Sequence, residues 1–141
     1  MKGGKAMAFI QWDDSLSVNV VEIDKEHQKL VGMINDLHDA MRHGQSKLIL
    51  SNIINGLIDY AGTHFRTEEG YFERFGYPDA IMHKQEHVAF TQKIAEFKYK
   101  YDAGKVGLSM DIMNFLSEWL RHHIKVVDKK YGPFFNEKGL K

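Results

Sequence analysis

The sequence predicts an all-α protein, an antiparallel up-down-up-down four-helix bundle with an irregular N-terminal arm. In four segments, apolar residues recur at alternating steps of three and four, which is the spacing of a helix that buries one face. Proline occurs only as Pro78 and Pro133, so long helices are interrupted at few places. The links between the segments are short, and short links force neighbouring helices to run antiparallel.

The four apolar seams extend over residues 23–41, 50–75, 83–101 and 112–126. Breaks that contain glycine separate them, near Gly44, Gly76 and Gly104. The arm alternates too loosely to predict a helix, and we expect it to pack over the bundle. The length of 141 residues predicts a single domain, with the arm at about 1–22 and the bundle at about 23–132.

Composition excludes several classes of function. The chain has 19 basic and 19 acidic residues with no dense basic stretch, which argues against nucleic acid and anionic membranes as partners. Cysteine is absent, so any metal must be held by nitrogen and oxygen atoms. The apolar run Ala6 to Ile10 is too short for a secretory signal or a membrane span, so we expect a cytoplasmic protein without membrane insertion.

Polar residues lie inside the seam of every predicted helix. A histidine or glutamate in a dry helix interface must find a partner or lose several kcal/mol of hydration. A single seam histidine is usually bonded to a carbonyl or carboxylate, but five of them converging from four helices favour a metal site. Two pairs have the i,i+4 spacing of ligands on one helix face. The six inward residues are His27, His64, Glu68, His83, His87 and His123.

The fourth helix offers a second reading, because His122 and His123 are adjacent and only one can face inward. His123 shares its face with apolar residues, whereas His122 shares its face with Glu118 and lysines, which is typical of a solvated surface pair. Asp128 lies one position beyond the i,i+4 partner of His123, so helical spacing alone leaves it out.

Acidic residues beside the seams have surface or capping roles by default. Glu26 and Glu69 belong to this group. Asp24 is a candidate to orient His27 by accepting a hydrogen bond from its ring.

Four motifs together make the pattern specific. They are Ile23-Asp24-Lys25-Glu26-His27, His64-Phe65-Arg66-Thr67-Glu68-Glu69, His83-Lys84-Gln85-Glu86-His87, and Trp119-Leu120-Arg121-His122-His123 followed by Asp128. In content and order they resemble the hemerythrin family, specifically the single-domain bacteriohemerythrins, across nearly the whole chain. The segment Val18-Asn19-Val20 departs from the family, whose members commonly carry a glycine there.

The resemblance implies a non-haem di-iron site with a bridging oxo or hydroxo group. In such a site His83, His87 and His123 bind one iron, His27 and His64 bind the other, and Glu68 and Asp128 bridge both. Oxygen would bind at the iron with two histidines, beside an apolar pocket formed by Phe65, Trp119, Leu120 and Ile124.

Two classes of function fit this site. The first is reversible binding of molecular oxygen for storage, delivery or sensing; delivery would also require a protein partner that the sequence does not identify. The second is a di-iron enzyme that reduces peroxide or nitric oxide. No extra acid–base pair on the seams marks dedicated catalysis, so the sequence favours an oxygen-binding protein over an enzyme. A metal-free bundle would need these converging polar groups to satisfy one another.

Overall fold

Four long helices form the antiparallel bundle, as the sequence predicts. The computed structural model describes residues 9–141 and places α1 at Val21–Arg42, α2 at Lys47–Phe75, α3 at Ala80–Asp102 and α4 at Met110–His122. A short helix, α5 at Tyr131–Glu137, follows α4. No strand occurs in residues 9–141. The predicted fold class is therefore confirmed. The first helix begins two residues before the expected start of the bundle at 23, and α5 ends five residues beyond its expected end at 132.

The helix ends follow local chemistry. The Ser46 side chain accepts a hydrogen bond from the Ile49 amide and caps the start of α2. Gly76 ends α2 with a φ of 68°, a left-handed conformation in which a side chain would be strained. Between these ends the predicted seams are buried, and Leu30 and Ile94 are among the core residues. The bundle interior is thus apolar except where the polar seam residues meet.

The chain beyond α4 departs from a regular helix. A π-helical turn spans His123–Val127 and a 3₁₀ turn spans Asp128–Lys130 before α5 begins. In the π turn the Asp128 amide donates to the carbonyl five residues back, on His123. The wider turn rotates later residues away from the α-helical seam. Val126, which we expected on that seam, is 45% exposed for this reason.

The N-terminal arm, from residue 9 to the start of α1, is irregular apart from a 3₁₀ turn at Asp14–Leu16. It packs on the bundle through buried apolar side chains, among them Ile10 and Val18. Asp24 accepts hydrogen bonds from the Val18 amide at 2.8 Å and from the Ser17 hydroxyl at 2.6 Å. Asp24 therefore anchors the arm and does not contact His27, contrary to the sequence hypothesis. The expected apolar run Ala6 to Ile10 lies largely outside the described residues.

The arm and α5 are packed together without room for a side chain. A Cβ atom added to Gly132 would lie 2.5 Å from the carbonyl oxygen of Val18. Nearby, the Asn136 side-chain amide donates to the carbonyl of Asn19 at 2.9 Å. The C-terminal helix and the arm thus hold each other at one end of the bundle.

We expect Gly132→Ala to lower the free energy of unfolding by about 1–3 kcal/mol, because the arm backbone must move to admit the methyl group. Gly70→Ala is the matched control, since nothing lies within 4 Å of its added Cβ and alanine favours the helix by about 1 kcal/mol. Urea unfolding of both variants measures the difference. Equal stability of the two variants would contradict the close packing at Gly132.

No helix in residues 9–141 combines the length and apolar character needed to cross a bilayer.

Candidate metal centre

Seven polar side chains converge in the middle of the bundle, and each is at most 2% exposed. Helices α1, α2 and α3 supply five of them, and the π and 3₁₀ turns supply the other two. They form two overlapping groups. Within each group every residue offers one nitrogen or oxygen ligand atom, and these ligand atoms all lie within 4.8 Å of one another. The first group is Glu68, His83, His87, His123 and Asp128, and the second is His27, His64, Glu68 and Asp128.

The first group has three histidines turned towards two carboxylates. The Nε2 atoms of His83 and His123 lie 2.8 and 3.0 Å from Oδ1 of Asp128. Nε2 of His87 lies 3.0 Å from Oε1 of Glu68. The Nε2 atoms of His83 and His123 are only 3.2 Å apart. Three imidazole nitrogens therefore point into one small space.

The second group shares the same carboxylates from the opposite side. Nε2 of His27 lies 3.0 Å from Oδ2 of Asp128 and 3.8 Å from Oε2 of Glu68. Nε2 of His64 lies 3.5 Å from Oε1 of Glu68. Each carboxylate thus lies between the two sets of histidines.

The group fits metal ions better than it fits internal hydrogen bonding. Despite the short approaches, several buried atoms make no hydrogen bond of acceptable geometry within residues 9–141. Buried polar atoms without partners are costly, and metal ions would complete them. These atoms include Nε2 of His27, His64 and His87, Oε1 of Glu68, and both oxygens of Asp128.

Electrostatics in the metal-free centre are dominated by burial and by the two carboxylates. Burial lowers the pKa of His27, but the nearby carboxylates of Asp128 and Glu68 outweigh it and raise the pKa to about 9. Burial likewise opposes ionisation of His123, while Asp128 and Glu68 raise its pKa to about 9. Although burial raises the pKa values of Asp128 and Glu68, the facing histidines hold both below the usual range. Without metal, two imidazolium ions therefore neutralise two carboxylates.

Three glutamates hold histidines of the centre from outside. Each accepts from Nδ1–H of a histidine on the next segment of the chain, which leaves Nε2 free for a metal. The sequence alone predicts surface or capping roles for two of them, Glu26 and Glu69. Their one sequence signal is that each adjoins another inward residue. The pairs are Glu26 with His64 at 2.7 Å, Glu69 with His87 at 2.8 Å, and Glu86 with His123 at 3.0 Å.

Tyr131, on α5, is a further site residue that seam spacing did not reveal. It is completely buried, and its hydroxyl donates a hydrogen bond to Oε2 of Glu68. Its ring packs on that of His83, with centroids 5.6 Å apart and an interplanar angle of 21°. The first residue of a short helix has no seam to identify it. Tyr131 thus fixes Oε2 of Glu68, whereas Oε1 has no hydrogen-bond donor within residues 9–141.

An apolar cavity of about 20 Å³ borders the second group. His27, His64, His123 and Asp128 contribute the polar part of its lining, and aliphatic side chains such as Leu30 and Leu57 contribute much of the rest. Phe65, Trp119 and Leu120 line it, as the resemblance implies. The fourth expected pocket residue, Ile124, is buried in the core and does not line the cavity. It directly follows His123 in the π turn, so its side chain projects in a different direction from the His123 ring.

Comparison with known proteins identifies this arrangement. Residues 18–135 match the family model described as the hemerythrin HHE cation binding domain. The chain belongs to the hemerythrin family. It is 34% identical over 126 residues to the bacteriohemerythrin of Stenotrophomonas maltophilia, covering 89% of this chain and 81% of that protein. It is 35% identical over 128 residues to the bacteriohemerythrin of Methylococcus capsulatus, covering 90% of this chain and 97% of that protein.

Solved hemerythrin structures share the fold of this hemerythrin-family chain. A wild-type hemerythrin crystal structure superposes with a TM-score of 0.85 at 34% identity, covering 89% of this chain and 97% of the other. A point mutant of hemerythrin gives a TM-score of 0.86 with coverages of 90% and 97%. The predicted family and the predicted bundle are both confirmed.

Proposed function

We propose that this hemerythrin-family protein binds molecular oxygen reversibly at a di-iron centre, for storage, delivery or sensing. One observation carries the proposal: the group that offers fewer ligands has two histidines, His27 and His64, and both line the apolar cavity. The other group has three histidines, of which His123 alone lines it. An ion held there by fewer protein ligands would keep an open position beside this apolar cavity.

The two overlapping groups support a specific division of ligands. We assign His83, His87 and His123 to one ion and His27 and His64 to the other. Glu68 and Asp128 belong to both groups, so they would bridge the ions. Histidine and carboxylate ligands suit iron, and an oxo or hydroxo group is a suitable third bridge. The glutamate contacts to His64, His87 and His123 fix the ring orientations that this assignment needs.

The iron ions, when bound, supply the electrons and the open coordination position that oxygen binding requires. The protein supplies a cavity that admits little more than one small molecule, since a water needs roughly 10–15 Å³. Phe65, Trp119 and Leu120 keep the cavity apolar, which favours oxygen over water and ions. Glu26 holds His64 in place at the cavity end through the 2.7 Å hydrogen bond. Among residues 9–141, the acidic and basic side chains that line the cavity all belong to the metal centre, so no separate acid or base faces a bound molecule.

Anaerobic purification followed by iron analysis and visible spectroscopy tests the proposal. We expect about two irons per chain and a colour that develops in air and disappears when oxygen is removed, over repeated cycles. Irreversible bleaching with turnover of peroxide or nitric oxide would identify the alternative, a di-iron reductase. A single zinc ion per chain would contradict both.

Trp119 is expected to protect the loaded centre from oxidation. Its indole stacks on His123, with centroids 4.4 Å apart, and packs on Phe90 at 4.1 Å. We expect Trp119→Ala to speed autoxidation about tenfold, because the cavity opens to water. The decay of the oxygenated spectrum measures this rate. Trp12→Ala, in the arm, is the control and should leave it unchanged; equal rates for all three proteins would rule out this role.

A further inference from the structure

A cleft of about 240 Å³, lined by charged side chains as well as by apolar ones such as Met82, lies on the surface beside the three-histidine group. The start of α3 forms one wall, with Asp79 and Glu86, and the π and 3₁₀ turns form the other, with Val127 and Lys130. His83 also lines the cleft, although it is only 2% exposed. The cleft thus leads from solvent to a residue of the metal centre.

His83 lacks the outer contact that the other histidines of its group possess. Nδ1 of His87 and Nδ1 of His123 each bond to a glutamate. Nδ1 of His83 makes no hydrogen bond within residues 9–141, while its Nε2 faces Asp128 at 2.8 Å. A buried imidazole with one unpartnered nitrogen therefore forms the inner end of the cleft. No side chain of the described region holds this ring from outside.

The carboxylates of the cleft are also available to a ligand. Asp79 precedes α3 but makes no side-chain capping bond. Glu86 bonds to His123 through Oε1 alone, so its second oxygen is not used by that contact. Lys130 forms no ion pair with any residue of 9–141, and it is the one positively charged side chain in the cleft wall. Two carboxylates and one ammonium give the cleft a net negative charge.

The apolar cavity beside His27 and His64 cannot serve as the route by which iron enters. Its volume is about 20 Å³ and most of its lining is aliphatic or aromatic. A divalent cation carries bound water, and moving it through an apolar passage costs many kcal/mol. The surface cleft has a volume of about 240 Å³, which accommodates a hydrated ion, and its walls carry the Asp79 and Glu86 carboxylates. Oxygen and iron therefore need separate approaches to the centre.

We propose that this cleft is the entrance for Fe(II), with Asp79 and Glu86 as its first oxygen ligands. The inference rests on the proposed di-iron function. The hydrated ion exchanges water for these carboxylates and then passes inward between His83 and the facing wall. That wall consists of two short irregular turns, and it carries His123 and Asp128. A small movement of the turns therefore opens the passage without unfolding a long helix.

The test measures the rate at which metal-free protein takes up Fe(II) under nitrogen, with a coloured ferrous chelator reporting the free ion. We expect Asp79→Asn to slow uptake about three- to tenfold, because it removes a charge that attracts the ion. Lys130→Gln should speed uptake by a similar factor, because it removes a repelling charge. Both differences should shrink as salt is raised. Both side chains are exposed, and within residues 9–141 neither forms a hydrogen bond or ion pair with the seven central side chains, so the fold and the final iron content should be unchanged.

Asp59→Asn, on the exposed side of α2, is the matched control and should leave the rate unchanged. Uptake of about two irons at the wild-type rate in both Asp79→Asn and Lys130→Gln would overturn the proposal that the cleft is the entrance for Fe(II). Failure of the wild-type protein to bind iron at all would instead refute the di-iron function. The two failures are therefore distinguishable in one experiment.

Discussion

Replacing Asp128 with Asn is expected to remove both irons from the protein. Asp128 approaches Nε2 of His27, His83 and His123 at 3.0 Å or less, so it belongs to both groups of the centre. The amide has one acceptor oxygen and presents an NH₂ donor to the remaining position, where a metal ligand is needed. We expect iron per chain to fall at least about tenfold after dialysis against a mild chelator. Metal analysis of the purified variant provides the measurement.

Glu118→Gln is the control for this experiment. Glu118 is an exposed carboxylate on α4, and the same change of chemistry there should leave two irons bound. His122 offers a second check, because it is exposed beside His123 and was the competing inward residue. Iron retention in Asp128→Asn, or its loss in His122→Gln, would show that the centre has been assigned to the wrong residues.

Removing iron should invert the pH dependence of stability. In the metal-free protein the pKa values of His27 and His123 are raised to about 9, from 6.5 in the unfolded chain. Raised pKa values stabilise the fold below 6.5, and this contribution is lost as the pH rises through 9. Each residue contributes on the order of 3 kcal/mol. We therefore expect the metal-free protein to lose stability steadily between pH 6.5 and pH 9.

The carboxylates produce the opposite slope at low pH. The pKa values of Glu68 and Asp128 are lowered, so their contribution is present above about pH 4 and is lost on further acidification. Urea unfolding of chelated protein across pH 3–10 measures both limbs. Iron-loaded protein should instead gain stability from pH 6 to pH 8, because protons compete with iron for histidine. A flat profile for the metal-free protein would contradict the buried imidazolium–carboxylate pairs.

Helical spacing predicted the bundle and six inward residues because both depend on a regular repeat. His27, His64, His83 and His87 lie at seam positions of regular helices, where sequence distance converts directly into direction. Asp128 needed the family resemblance. It aligns with His123 only because a π turn adds one residue to the helical turn, and no local sequence signal marked that turn.

The remaining site residues depend on contacts between elements. Glu26 and Glu69 lie beside the seams, and only the relative placement of neighbouring helices shows that they reach His64 and His87. Tyr131 directly follows the 3₁₀ turn, and its partner Glu68 lies 63 residues earlier in the sequence. Such contacts have no period in the sequence, so pattern analysis could not find them.

The three outer glutamates have a consequence for how the helices can move. Glu26 on α1 reaches α2, Glu69 on α2 reaches α3, and Glu86 on α3 reaches the segment after α4. Each hydrogen bond joins a helix to the next segment of the chain, so the three bonds together fix the positions of consecutive helices along the bundle axis. If α2 slid by one helical turn, about 5.4 Å, the hydrogen bonds Glu26–His64 and Glu69–His87 would both break. The hydrogen bonds that orient the imidazole rings therefore also fix how far each helix is shifted along the bundle axis relative to the next.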